Sequence, residues 1–246
     1  MNIDYSKISQ TYDKYRLHSP RLVDYIRGFG VIVDNIKLLD LGCGTGDVAC
    51  QLKTKSKLDL IGLDRSLHML EIARKKSLDV VRADVDNYGL PFRDCVFDRI
   101  ISVYVIHHIK RLGSLFSECH RVMRSGYLLL LTSSHKQIES QHPVIKDFSP
   151  ACVNIDLERF PDIPVIDRLL TGAGFHELQH EEILFDSIPI DHRYLEHVKN
   201  KFISTYHLID QREFEQGVKR LEDFTNSLRK PEYREWRSTL IRGKKS

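Results

Sequence analysis

Residues 38–46 read Leu38-Leu39-Asp40-Leu41-Gly42-Cys43-Gly44-Thr45-Gly46. A short apolar run leads straight into three glycines spaced two apart. Glycine lets a chain turn sharply and bring its backbone up to a ligand with no Cβ in the way. A second apolar run, Leu60-Ile61-Gly62-Leu63, ends in Asp64, eighteen residues after Gly46. A glycine turn after one strand and an acid at the end of the next is the layout of a nucleoside-binding βαβ unit. The acid is placed there to accept hydrogen bonds from ribose hydroxyls.

The loop departs from the dinucleotide fingerprint G-x-G-x-x-G. Its third glycine would fall where this chain has Asp47. A carboxylate at that point opposes a pyrophosphate. It does not oppose a nucleoside without phosphates and with a cationic centre. A nicotinamide-dependent oxidoreductase is therefore disfavoured, though it stays the rival enzyme class.

Outward from this unit, β-rich apolar runs recur at 36–41, 58–63, 78–82, 99–103 and 127–132. Helical patterns lie between them: Val48 with Leu52, Leu67 with Leu70 and Ala73, and Leu115 with Cys119 and Val122. Ser66 is available as an N-cap. Alternating strands and helices predict an α/β fold, a Rossmann-like, mostly parallel sheet of seven strands with helices on both faces. Residues 1–33 read as a peripheral helical segment and 34–190 as the core. Residues 134–162 carry Pro143, Pro150 and Pro161 with little periodicity, which predicts a long loop over the rim. A helix near 163–171 stops at Gly172, and a strand follows at Glu182–Phe185. Leu195, Val198 and Phe202 mark one further helix, and Phe214, Val218, Leu221 and Leu228 a second. These two predict a helical cap inserted over 191–228. The alternation at Trp236–Ile241 predicts a closing strand within 229–246.

Composition sets wider bounds. The 246 residues suffice for one α/β domain with a cap, and the formal net charge of +3 is too small to call for a nucleic-acid partner. The basic stretch Arg229–Lys245 reads as a solvated edge. Five cysteines at 43, 50, 95, 119 and 152 show no C-x-x-C pair, which argues against a metal site and for a reducing compartment. The first ten residues are unlike a secretory signal, and the longest apolar run, Tyr127–Leu131, is far short of the ~20 residues of a membrane span. A cytoplasmic protein with no membrane partner is expected.

Four ordered segments resemble a known family. They are Leu39–Gly46; Gly62–Leu70; Ala83-Asp84-Val85 through Leu90-Pro91-Phe92 to Val96-Phe97-Asp98; and Ser102–His108 followed by His120–Gly126. Together they resemble the class I S-adenosylmethionine-dependent methyltransferases, nearest to the ubiquinone/menaquinone-biosynthesis type. Tyr12-Asp13, Arg16 and Gly172-Ala173-Gly174-Phe175 extend the likeness weakly. Where the family usually has Pro-Gly-Gly, this chain has Ser125-Gly126-Tyr127.

The resemblance implies an S-adenosyl-L-methionine cofactor. Gly42, Cys43, Gly44 and Thr45 would line its methionine moiety, and Asp64 would hold the ribose diol. Arg65 and Met69 would flank the adenine, Asp84 and Val85 would meet its edge, and Ser102 would sit beside the sulfonium. Asp40, Gly42, Asp64, Asp84 and Ser102 also fall at carboxyl ends of strands, where open α/β sheets take ligands.

The expected function is in-line transfer of the methyl group to a small-molecule acceptor. The alternatives are an RNA methyltransferase and a non-catalytic module that keeps the cofactor site. Val103-Tyr104-Val105-Ile106 lacks the Asn/Asp-Pro-Pro-Tyr/Phe-like segment that often meets a flipped base, which favours a small molecule. If a base is used, the candidates are Tyr104, His107, His108, Tyr206 and His207. His107 and His108 are adjacent, so both do not face one ligand equally. His192, His197 and His207 lack i, i+4 ligand spacing and read as a solvated helix face.

Overall fold

The computed structural model describes residues 12–15 and 18–246. Arg16 and residues 1–11 and 17 lie outside the described residues. The strands are β1 Ile36–Leu41, β2 Leu58–Asp64, β3 Asp79–Arg82, β4 Phe97–Val103, β5 Met123–Thr132, β6 His176–Pro189 and β7 Tyr233–Lys245. They form one seven-stranded sheet in the order β3-β2-β1-β4-β5-β7-β6. β1 to β5 pair in parallel, and β7 runs antiparallel to both β5 and β6.

Strand side chains alternate between faces, so each strand feeds two cores. On one face Leu39, Leu41, Ile100, Leu128 and Leu130 pack under α5 (Leu112–Val122) and α9 (Ile163–Gly172). On the other, Leu38, Leu60, Ile101, Leu129 and Leu131 pack under α1 (Pro20–Phe29), α2 (Asp47–Lys55) and α3 (Leu67–Lys75). A short α4, Val85–Tyr88, follows β3. Ser66 caps α3, its hydroxyl accepting from Met69 N at 3.4 Å.

The expected rim loop at 134–162 is instead three helices: α6 His135–Glu139, α7 Pro143–Phe148 and α8 Pro150–Arg159. Pro143 and Pro150 sit in the first turns of α7 and α8, where the missing N–H would have no helical partner anyway. Ser134, His142 and Ser149 supply the caps. Pro143 and Pro150, read as breaks, therefore start helices, while Pro161 lies in the connection after α8.

α10 (His192–Lys199) and α11 (Gln211–Ser227) follow β6, and Leu195, Val198, Phe202, Phe214 and Leu221 are buried between them. They share that third core with Val144, Ile145, Phe148 and Cys152 of α7 and α8. The expected strand at 182–185 runs over 176–189, paired along its length with β7 at the sheet edge. Its first half, His176–Glu182, carries the polar residues that protect an edge and hide a strand from an apolar search. Among the described residues, no helix is long and apolar enough to cross a membrane.

Candidate functional site

The chain runs from β1 outward to β2 and β3, then returns to place β4 on the other side of β1. That reversal is a topological switch point, where the strand ends diverge and leave a crevice. A cavity opens there with about 1060 Å³ of non-atom space, including part open to solvent. It is lined by Asp40, Gly42, Cys43, Gly44, Thr45, Asp64, Arg65, Met69, Asp84 and Val85. The expected cofactor residues thus converge, with one exception. Ser102 is fully buried and absent from the lining. It shares the α5-side orientation of Ile100, and the chain enters the crevice only at Val103, Tyr104 and Val105.

The glycine loop is tied to β2. Gly42 N and Cys43 N donate to Leu63 O at 2.7 and 3.0 Å. Gly42 has φ +77°, and a Cβ there would stand 2.3 Å from Val105 Cγ2. Gly44 has φ +54°, yet a Cβ there would meet nothing within 4 Å, so the loop offers open space on that side. Asp64 spans the crevice floor: Oδ2 accepts from Gly44 N at 3.0 Å and Oδ1 from Ser66 N at 2.8 Å. Asp84 caps α4, accepting from Asp86 N at 3.2 Å and Asn87 Nδ2 at 2.7 Å, while still lining the cavity. Asp86 accepts from Lys110 N and Arg111 N, at 3.0 and 3.1 Å.

Three carboxylates crowd the inner end. Burial, with the charges of Asp64 and Asp47 added, raises the Asp40 pKa to about 7. Burial also pushes Asp64 up, against its bonds to Ser66 and Gly44. Burial pushes Asp47 upward too, but its bonds to His18 prevail and hold it low. His18 N and Nδ1 lie 2.8 and 3.0 Å from Asp47 Oδ2. A cavity with this surplus of acid suits a cationic guest better than a pyrophosphate.

Asp40 also makes a testable statement about stability. Its carboxyl holds a proton to a higher pH when folded than when unfolded. Its stabilising contribution is complete below the unfolded value of 3.8 and is lost as pH rises toward about 7. Asp40→Asn should therefore lose less stability than wild type between pH 5 and pH 8. Urea unfolding at both pH values measures this, and equal losses would remove Asp40 as the cause.

The five candidate bases separate. Tyr104 borders the first cavity and a second one beside it. It holds φ +55°, rare for a side chain of its size, and its hydroxyl pairs with Ser238 Oγ. His108 lines the first cavity and His107 the second, so the adjacent histidines do face different spaces. His107 stacks on Phe160 with ring centroids 4.0 Å apart. Tyr206 borders neither cavity. It is 1% exposed among Phe148, Phe202 and Phe214 at 5.1–6.0 Å, so this candidate base is a core residue. His207 bonds Lys201 O at 2.9 Å and lines neither cavity. Among the described residues, no three His, Cys, Asp or Glu side chains cluster as metal ligands would.

Tyr12, His18, Asp47, Asp86, Val105 and Ile109 also line the first cavity, although the sequence does not mark them as binding residues. Thr45 Oγ1 donates to Asp13, and Lys76 pairs with Asp13 at 2.6 Å. The N-terminal segment thus reaches the glycine loop rather than staying peripheral. The weak likeness at Tyr12-Asp13 is the one signal that pointed there.

Comparison with known proteins finds methyltransferases. Residues 39–131 match the family described as "Methyltransferase domain". The chain is 35% identical over 146 residues to demethylmenaquinone methyltransferase of Thermotoga maritima, covering 58% of this chain and 59% of the relative. It is 34% identical over 116 residues to a probable tRNA methyltransferase 9B of Bos taurus, covering 44% and 24%. The chain thus spans less than two thirds of these curated relatives. A crystal structure of a putative methyltransferase from an antibiotic biosynthesis pathway of Anabaena variabilis superposes with TM-score 0.74 at 22% identity, covering 93% of this chain and 98% of that one. At that identity the superposition establishes the fold.

Proposed function

We propose, on the premise that residues 39–131 are a methyltransferase domain of the class I S-adenosylmethionine-dependent family, that this chain methylates a small molecule. The observation that carries the proposal is the first cavity, where the glycine loop, Asp64 and Met69 converge at the switch point of the sheet. The residues fit the cofactor. Gly44 leaves the room a Cβ would fill, Asp64 offers a carboxylate to a diol, and Asp40, Asp47 and Asp64 favour positive charge. S-adenosylmethionine, when bound, supplies an electrophilic methyl group already activated on a sulfonium.

The protein's part is then to position and to dry. Gly42 to Thr45 would hold the methionine portion, Arg65 and Met69 would flank the adenine, and Asp84 and Val85 would meet its edge. Tyr104, Val105 and Ile109 close the side of the cavity that faces the acceptor and restrict water there. Tyr104 links the two cavities, so an acceptor in the second has its reacting atom at that junction. α6 to α8, α10 and the strand end Tyr233–Arg237 bound or support this second space, which makes them the specificity element. Of the candidate bases, His107 and Tyr104 line this second cavity and could take a proton from the acceptor.

The probable tRNA methyltransferases among the relatives give the rival acceptor, RNA. Incubation with methyl-labelled cofactor separates the two. Label should enter the small-metabolite fraction of a cell extract, with release of S-adenosylhomocysteine. Label in total RNA and none in small molecules would overturn the small-molecule reading.

A further inference from the structure

The second cavity is walled by charged side chains that are mostly paired. Asp156 faces Arg159 at 3.6 Å, Glu235 faces Arg237 at 2.8 Å and His142 faces Glu232 at 2.8 Å. Arg234 is different. It is 6% exposed, and among the described residues no carboxylate stands within ion-pair distance of it. Its Nη1 donates to the Tyr194 hydroxyl at 2.7 Å and its Nη2 to Gln141 Oε1 at 3.2 Å. Its guanidinium lies 4.8 Å from the ring of Trp236. A guanidinium keeps its charge, and a buried charge with no ion pair is costly even with the Asp156 carboxylate acting on it from further off. Neutral oxygens and a ring face offset part of that cost. A carboxylate or phosphate would offset more, through two charge-assisted hydrogen bonds.

A second, independent observation points the same way. Gln137 lines the same cavity and is 7% exposed. Its Oε1 accepts from Ser134 N at 3.0 Å and Thr239 Oγ1 at 3.2 Å. Its Nε2 is buried with no partner among the described residues. Buried donors are nearly always satisfied, so this amide is short of an acceptor that a ligand could supply after a small shift of the side chain toward the cavity. The cavity lining therefore holds a buried guanidinium with no ion pair, on which Asp156 acts only from beyond ion-pair distance, and a buried N–H donor with no acceptor among the described residues.

We propose that the second cavity takes an acceptor bearing an oxyanion, a carboxylate or a phosphate monoester, which Arg234 binds with Gln137 beside it. The apolar body of that acceptor rests on Trp236, Ile203 and Phe160, and its reacting atom points to Tyr104. The proposal rests on the methyl-transfer reading for that last step only; the anion site stands on the cavity itself.

Trp236 is the only tryptophan of the chain and sits on the Arg234 guanidinium, so its fluorescence reports on the site directly. The probes are cyclohexanecarboxylate, its neutral amide and inorganic phosphate, titrated into wild type, Arg234→Met, Arg234→Lys and Gln137→Leu. Cyclohexanecarboxylate or phosphate should bind at least about tenfold tighter than the amide, a difference of ~1.4 kcal/mol. That preference should fall to within about twofold in Arg234→Met and persist in part in Arg234→Lys. Gln137→Leu should weaken the anion while Arg234 is intact. Binding of only one of the two anions assigns the acceptor's oxyanion to that type.

An amide that binds as tightly as both anions, or an anion preference that survives Arg234→Met, would overturn the proposal. If Arg234→Met does not fold, Arg234→Lys and Gln137→Leu carry the same test. S-adenosylhomocysteine affinity is measured in each protein. Its loss in wild type would sink the methyl-transfer reading while leaving the anion preference to be scored on its own.

Discussion

Tyr206→Ala should lower the free energy of unfolding by about 3–5 kcal/mol, the range for truncating a large buried aromatic. Tyr206 is 1% exposed and packs against Phe148, Phe202 and Phe214, which draw α7, the turn at Ser204–His207 and α11 together. Removing the ring leaves a void that these neighbours fill only in part. Neither cavity is lined by Tyr206, so S-adenosylhomocysteine affinity at a temperature where the variant is folded should stay within about twofold, well under the ~1.4 kcal/mol of a tenfold change. Urea unfolding and calorimetry together decide the matter. A stable variant with lost turnover would restore Tyr206 as a candidate base.

Asp64→Ala should act the other way round. It should weaken cofactor binding by roughly 1–3 kcal/mol, the scale of lost charge-assisted hydrogen bonds, while folding survives. Two effects add. The carboxylate that would accept from the ribose is gone, and the Gly44 and Ser66 amides it orders at 3.0 and 2.8 Å are released. Burial raises the Asp64 pKa, so its charge costs the empty fold something, and the variant should still melt cooperatively. Asp64→Asn should fall between the two proteins. An unchanged dissociation constant in Asp64→Ala would remove the ribose role.

What the sequence discloses follows the range of its signals. The glycine loop, Asp64 and the five parallel strands are local: a few adjacent residues state their conformation and their face. β6 is harder to read because an edge strand carries Glu177, Gln179, Glu181 and Glu182 where an inner strand carries apolar residues. The helices at 135–159 are hidden by prolines whose meaning depends on position, since Pro143 at a helix start and a proline in a helix interior are the same letter.

The site shows the same divide. Ser102 sits at the right strand end, but the alternation of faces turns it away, and the crevice begins one residue later. His18 and Tyr12 reach the cavity from the N-terminal side, where only the weak likeness at Tyr12-Asp13 pointed. The second cavity draws on residues from Tyr104 to Arg237, so no single stretch announces it. Arg234, within a basic run that reads as a solvated edge, is in fact one of the most buried charges of the chain.

The central claim is that the crevice between β1 and β4 is a site for S-adenosylmethionine. Isothermal calorimetry with S-adenosylhomocysteine and with NAD tests it most directly, on the same protein and without added metal. The account predicts one-site binding of S-adenosylhomocysteine and a matching rise in melting temperature, because a ligand bound only to the native state stabilises it. NAD should give neither, since its pyrophosphate would meet Asp47 where the dinucleotide pattern has glycine. NAD binding tighter than S-adenosylhomocysteine, or no heat from the latter, would contradict the account.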